Sequence, residues 1–109
     1  MFARILEFEL KLEKKDEFVK VVKNEILPIL KKQNGFLEIL PFFPEKMKKE
    51  EKVFTISLWT GKTDAERYEK EIYPRVYDIL KPYLLTPITI KPYVVETTLC
   101  EHFVEALAA

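Results

Sequence analysis

Trp59, Tyr73, Tyr77 and Tyr93, together with Ser57, Glu7 and Glu9, are the side chains whose types and spacing bear on chemistry. A tryptophan and three phenols can enclose a flat aromatic ligand, their rings supplying apolar area and their N–H and O–H groups a polar handle. Trp59 either marks such a pocket or seals the core or a subunit contact. Tyr73 and Tyr77, four residues apart, share one side of a helix and reach either a cavity or a partner. Glu7 and Glu9 point to one face of a strand, where repulsion and a low dielectric raise a carboxyl pKa toward that of a general base; Lys11 or Lys91 would neutralise them instead.

Other clusters carry less. Cys100 and His102 stand two apart, which suits neither a helical ligand pair nor a zinc pattern, and no metal site is read from them. Gly35 and Gly61, the only two glycines, lie in no phosphate-binding loop. The mixed charge run from Lys46 to Lys52 reads as a solvated turn. No cofactor is called for by any of these residues.

Composition narrows the partners. The 18 basic and 18 acidic side chains cancel, whereas phosphate backbones need clustered, uncompensated cations, so nucleic acid is not expected. Only Arg4, Arg67 and Arg75 offer a bidentate fork. A lone cysteine and an opening without signal-peptide character predict a cytoplasmic protein. No apolar stretch approaches the length of a membrane span. At 109 residues the chain predicts one domain, 1–109, around one core.

Six elements must position these residues. Phe2 to Leu12 alternates, with Phe2, Leu6, Phe8 and Leu10 on one side and Ala3, Ile5, Glu7 and Glu9 on the other, the period of a half-buried strand. Asp16 predicts a helix N-cap, Phe18, Val22, Ile26 and Leu30 a helical stripe, and Asn34-Gly35 its stop. Pro28 falls inside that stripe and predicts a kink or break near 24–27. Phe36 to Phe43 and Val53 to Thr60 predict a hairpin, the latter with Phe54, Ile56 and Leu58 opposed to Thr55, Ser57 and Trp59. Thr63 and Glu66 predict a capping box for a second helix through Tyr83, bent at Pro74. Pro87 to Leu99 predicts a fourth strand, edge-placed by Pro92, and Thr98 with Glu101 a short terminal helix through Leu107.

The simplest arrangement is an α+β, ferredoxin-like β-α-β-β-α-β sandwich, a four-stranded antiparallel sheet with two helices on one face. With the apolar parity of each strand turned to the helices, the other face is expected to show Ile5, Glu7, Glu9, Thr55, Ser57, Trp59, Lys91, Tyr93 and Val95. Such a face needs a cover, and a second copy meeting it sheet to sheet predicts a homodimer.

Gln33-Asn34-Gly35-Phe36 before the second strand and Trp59-Thr60-Gly61-Lys62-Thr63-Asp64-Ala65 after the third, with this element order, resemble the antibiotic biosynthesis monooxygenase-like group of dimeric α+β barrel proteins over about residues 3–98. The resemblance implies two sheets packed face to face and a small-molecule pocket between sheet and helices in each subunit. Haem-degrading members of that group use a Trp ending strand three, an Asn from strand one and a His in helix two. Trp59 matches the first and nothing matches the others, so haem degradation is disfavoured. Other members oxidise aromatics without metal or flavin, binding an acidic phenol whose carbanion oxygen attacks. Two functions are therefore expected alternatives: a cofactor-independent monooxygenase for a small aromatic or quinone-like compound, or a non-catalytic dimeric module that binds a small ligand or another protein.

Overall fold

The structure, a computed structural model, describes residues 1–100. Four strands, β1 (Phe2–Glu9), β2 (Phe36–Phe42), β3 (Lys52–Trp59) and β4 (Thr89–Val94), form one sheet in the order β2-β3-β1-β4. All three pairings are antiparallel. Between β1 and β2 run α1 (Lys15–Val21), a π-helical turn (Val22–Ile26) and α2 (Leu27–Lys31); between β3 and β4 run α3 (Lys62–Glu71) and α4 (Tyr73–Leu80). Phe2, Phe8, Val53 and Trp59 from the sheet pack with Phe18, Ile26, Leu30, Ala65, Tyr68, Val76 and Leu80 from the helices. This is the expected ferredoxin-like arrangement.

Both helix breaks occur at the prolines. Pro28 has no N–H and its ring crowds the carbonyl four residues back; the chain responds with the π turn, in which the Leu27 N–H donates to the Val22 carbonyl. At the second break Ile72 opens to φ −114° and ψ −40°, and α4 restarts with Pro74 in its first turn, where a missing donor does no harm. Gly35 turns the chain into β2 at φ +80°, and a Cβ there would collide with the Asp64 side chain. Its carbonyl accepts from the Thr60 N–H at 2.8 Å, tying the two loops together.

Three local expectations are corrected. Gly61, not Thr63, occupies the N-cap of α3, and its carbonyl accepts the Ala65 N–H. Asp16 lies inside the first turn of α1, after a 3-10 turn at Leu12–Lys14, and favours the helix through its charge and not by capping. The fourth strand ends at Val94, and Thr97–Leu99 form a 3-10 turn. The expected terminal helix through Leu107, and His102, lie outside the described residues.

The largest correction concerns β3. Phe2 is paired with Trp59, Arg4 with Ser57, Leu6 with Thr55 and Phe8 with Val53. Directly opposed residues share a face, so Trp59, Ser57 and Thr55 turn toward the helices, and Phe54, Ile56 and Leu58 to the uncovered side. Ile5, Glu7, Glu9, Lys91 and Tyr93 do lie on that uncovered side, as their register shows. The parity of β3 is ambiguous because both sets contain large apolar residues. What decides it is Val53 and Trp59, both of which have zero exposure.

Among the described residues no helix is long and apolar enough to cross a membrane. Phe8, 3% exposed with its ring centroid 5.6 Å from that of Phe18, anchors β1 to α1. Phe8→Ala is expected to destabilise the fold by about 3–5 kcal/mol, whereas Val94→Thr, at a site 82% exposed, should change stability by less than about 0.5 kcal/mol. Urea unfolding followed by far-UV circular dichroism checks both.

Candidate functional site

A cavity of about 50 Å³ lies between the sheet and the helices. Its floor comes from Arg4, Leu6 and Phe8 of β1, Thr55 and Ser57 of β3, and Ile39 and Pro41 of β2; its roof from Phe18, Val22, Ile26 and Leu30 and from Tyr68, Tyr73, Val76 and Leu80. Phe18, Val22, Ile39 and Pro41 also line a larger open groove, about 570 Å³, between α1–α2 and β2. These four side chains form the wall between the two spaces. The β2 bulge between Phe36 and Glu38 supplies the extra residue, Leu37, that lines the groove.

Arg4 is the polar centre of the cavity. It is 2% exposed, and its guanidinium sits 5.2 Å from the ring centroids of both Tyr68 and Tyr73. Nη2 lies 3.5 Å from Glu69 Oε1, a carboxylate whose side chain is 43% exposed. That contact is an ion pair without hydrogen-bond geometry, and among the described residues Nε and Nη2 donate to no acceptor. Cation–π contacts are worth about 2 kcal/mol when desolvated. A buried charged group stripped of water loses several kcal/mol, and each unsatisfied donor adds about 1–3 kcal/mol. The aromatic rings and one half-exposed carboxylate thus compensate Arg4 only in part.

The hydroxyls around it are acids of low strength. Burial pushes the Tyr68 phenol up to about 12, with the Arg4 charge acting in the opposite direction. Burial raises Tyr73 as well, and again Arg4 opposes it. Both phenols are therefore protonated donors at neutral pH. Ser57 Oγ accepts a 3.0 Å hydrogen bond from Trp59 Nε1, which leaves the serine proton free to donate. Trp59 packs on Tyr68 with centroids 5.1 Å apart and meets Phe36 edge-on.

The sequence candidates separate into two groups. Ser57 and Tyr73 line the cavity. Trp59 stands behind its wall, orienting Ser57 and backing Tyr68, and Tyr77 backs Tyr73 at 6.2 Å. Glu7, Glu9 and Tyr93 are on the opposite face of the sheet and do not join them. Of the two alternatives for Glu7, a raised pKa or neutralisation by a lysine, the structure shows the second: the Lys52 ammonium, 2.9 Å away, holds that carboxyl below its usual range, and Lys91 adds to the effect, while Lys52 was not among the lysines expected in that role. Arg4 is the site residue that sequence reasoning missed, and Tyr68, read from the helical stripe as a core residue, is both buried and part of the cavity lining. The signal was available for Arg4, a charge at the one position that interrupts the inward series Phe2, Leu6, Phe8 and Leu10.

No family model matches the chain, and no curated protein matches it in sequence. In fold it is similar to several solved structures. One is an antibiotic biosynthesis monooxygenase, 14% identical over 87% of this chain and 98% of that one, with a TM-score of 0.66. Another is a monooxygenase of Streptomyces coelicolor in complex with nanaomycin D, 12% identical over 87% of each chain, TM-score 0.71. A third is the heme-degrader of Mycobacterium tuberculosis with two hemes bound in its active site, 14% identical over 88% and 96% of the two chains, TM-score 0.69. The fold is thus that of antibiotic biosynthesis monooxygenase structures, as the sequence resemblance implied, and at these identities the fold is what is shared.

The buried phenol has a consequence in alkali. Above pH 10 the unfolded chain releases the Tyr68 proton while the folded chain keeps it to about pH 12. The folded state then binds more protons, so stability falls as pH rises across that window, by up to about 1.4 kcal/mol per pH unit for this group. Tyr68→Phe should show a shallower decline from pH 10 to 12 in urea titrations than the unsubstituted protein.

Proposed function

We propose that this protein is a cofactor-independent monooxygenase acting on a small aromatic or quinone-like compound, working as a homodimer in the cytoplasm. One observation carries the reading: an apolar cavity between sheet and helices holds a buried, hydrogen-bond-deficient Arg4 beside the protonated phenols of Tyr68 and Tyr73. An electron-rich phenol bound there is favoured as its anion, because Arg4 supplies the countercharge in a medium of low dielectric. Oxygen then attacks the ring carbon. One oxygen atom stays as the new carbonyl, the other leaves as water, and the substrate supplies all four electrons. Tyr73 donates to the developing oxyanion.

A second reading rests on a different observation. Among the described residues lining the cavity there is no carboxylate and no imidazole to take a proton, which favours a non-catalytic dimeric module that binds a small ligand. Oxygen uptake decides between them. With 1,5-dihydroxynaphthalene and chelator present, the protein is expected to consume oxygen above the protein-free rate, and Tyr73→Phe to lower kcat/KM about tenfold or more. Binding without uptake selects the module.

The homodimer is supported by the uncovered sheet face. Leu40, Phe42, Phe54 and Tyr93 are 38%, 51%, 42% and 49% exposed, and the pairing sets them in rows with Ile5, Ile56 and Leu58. Adjacent apolar side chains of this size mark an interface. Sedimentation equilibrium should give a dimer, and Phe54→Glu should weaken it at least tenfold; a monomer at all concentrations removes this part of the proposal.

A further inference from the structure

The ion pair between Arg4 and Glu69 is unequal. Nη2 of the one lies 3.5 Å from Oε1 of the other, and the two side chains are 3% and 43% exposed. The guanidinium, stripped of water, depends on whatever anion stands near it, whereas a half-exposed carboxylate is solvated with or without a partner. The placement follows from α3. Tyr68 is turned into the core, and Glu69, one helical step of about 100° further round, stands at the rim and reaches Arg4 from the solvent side. The other polar side chains lining the cavity, Tyr68 and Tyr73 from the helices and Thr55 and Ser57 from β3, are uncharged at neutral pH. Pro92 of β4, opposite Arg4 in the sheet, carries no charge either. Among the described residues Glu69 is the only carboxylate paired with Arg4.

We propose that Glu69 is the resident counter-ion of the site, competing with the bound phenolate for the charge of Arg4 and so setting how acidic a phenol has to be before the cavity ionises it. This rests on the phenol-binding reading of the cavity and adds the residue that regulates it. The two anions need no common nitrogen. Charges act across several ångströms of low-dielectric interior, so a phenolate in the cavity and a carboxylate at the rim are both drawn to Arg4 and repel each other. In the empty protein the carboxylate offsets part of the cost of burying the cation; with a phenolate present it opposes the second negative charge. Glu69 keeps its water, so it yields Arg4 without the penalty that a buried partner would meet. One side chain thus stabilises the free protein and restrains the ionisation of what binds.

Binding of 4-nitrophenol, whose anion absorbs visible light, tests it. The bound ligand is titrated through its ionisation, and Glu69→Gln is expected to raise its ionisation constant by about fivefold or more over the unsubstituted protein. The same variant should melt lower when empty and gain more in melting temperature from the ligand, a combination that a merely structural role of Glu69 does not give. Glu69→Asp, which keeps the charge, should stay close to the unsubstituted protein. Glu66→Gln removes an equal charge from the exposed side of α3, where Glu66 pairs with Lys62, and should leave the constant within about a factor of two. A constant unchanged or lowered by Glu69→Gln, or raised as much by Glu66→Gln, overturns the proposal and leaves the oxygenase reading in place. Nitrophenol that does not bind, or binds no more ionised than in water, removes the phenolate reading and this proposal with it. Raised ionisation in Glu69→Gln with no oxygen uptake from any phenol keeps Glu69 as the regulator of an anion site and removes the oxygenase alone.

Discussion

The register between β1 and β3 is the constraint on which the rest of this molecule depends. Strand side chains alternate with a period of two, so a slip of one residue would exchange every inward and outward group of β3. In the observed register Arg4 is opposite Ser57 and Leu6 opposite Thr55. Two polar side chains therefore sit beside Arg4 and Leu6 at the middle of the sheet, while the apolar Val53 and Trp59 stand at the ends opposite Phe8 and Phe2. The cavity exists where β3 is thinnest.

The helices enter that geometry through their irregularities. Val22 and Ile26, which roof the cavity, bound the π turn, and the widened turn follows from the donor that Pro28 lacks. On the other side the break at Ile72 ends α3 after Tyr68 and restarts α4 at Tyr73. Five residues apart, the two tyrosines would diverge on a regular helix by far more than the i, i+4 pair that meets on one side. The reset at Ile72 brings both rings to 5.2 Å from the same guanidinium. Breaks that local stability disfavours thus place the polar centre of the site, which is a frequent feature of functional regions.

The strands, both helical runs and their two proline breaks were legible in the sequence because periodicity and the missing N–H act locally. The face of β3 was not. Phe54, Ile56 and Leu58 are the more apolar set, and a rule that buries the apolar parity turns them inward; the competing set carries Trp59, whose area outweighs its polar companions. Arg4 escaped for a related reason. A charged residue in a strand is read as solvent-facing unless its neighbours at i±2 are weighed, and those neighbours, Phe2 and Leu6, both point inward. A lysine was expected to neutralise Glu7, but which one was not legible, because the partner, Lys52, comes from the neighbouring strand β3 and sequence distance conceals it.

In the proposed dimer the two faces of β1 would be linked energetically through this one cation. Arg4 and Ile5 are adjacent, one pointing to the cavity and the other to the uncovered face, only a sheet thickness apart. In the proposed dimer the rows of Ile5, Ile56 and Leu40 exchange water for apolar side chains, and the medium around Arg4 loses part of its polarisability from behind. A lower dielectric strengthens any interaction of the guanidinium with an anion and raises the cost of leaving it alone. If the proposed dimer forms and an anion binds at Arg4, the two would be favoured together, because the same desolvated charge is made less tolerable by the first and satisfied by the second.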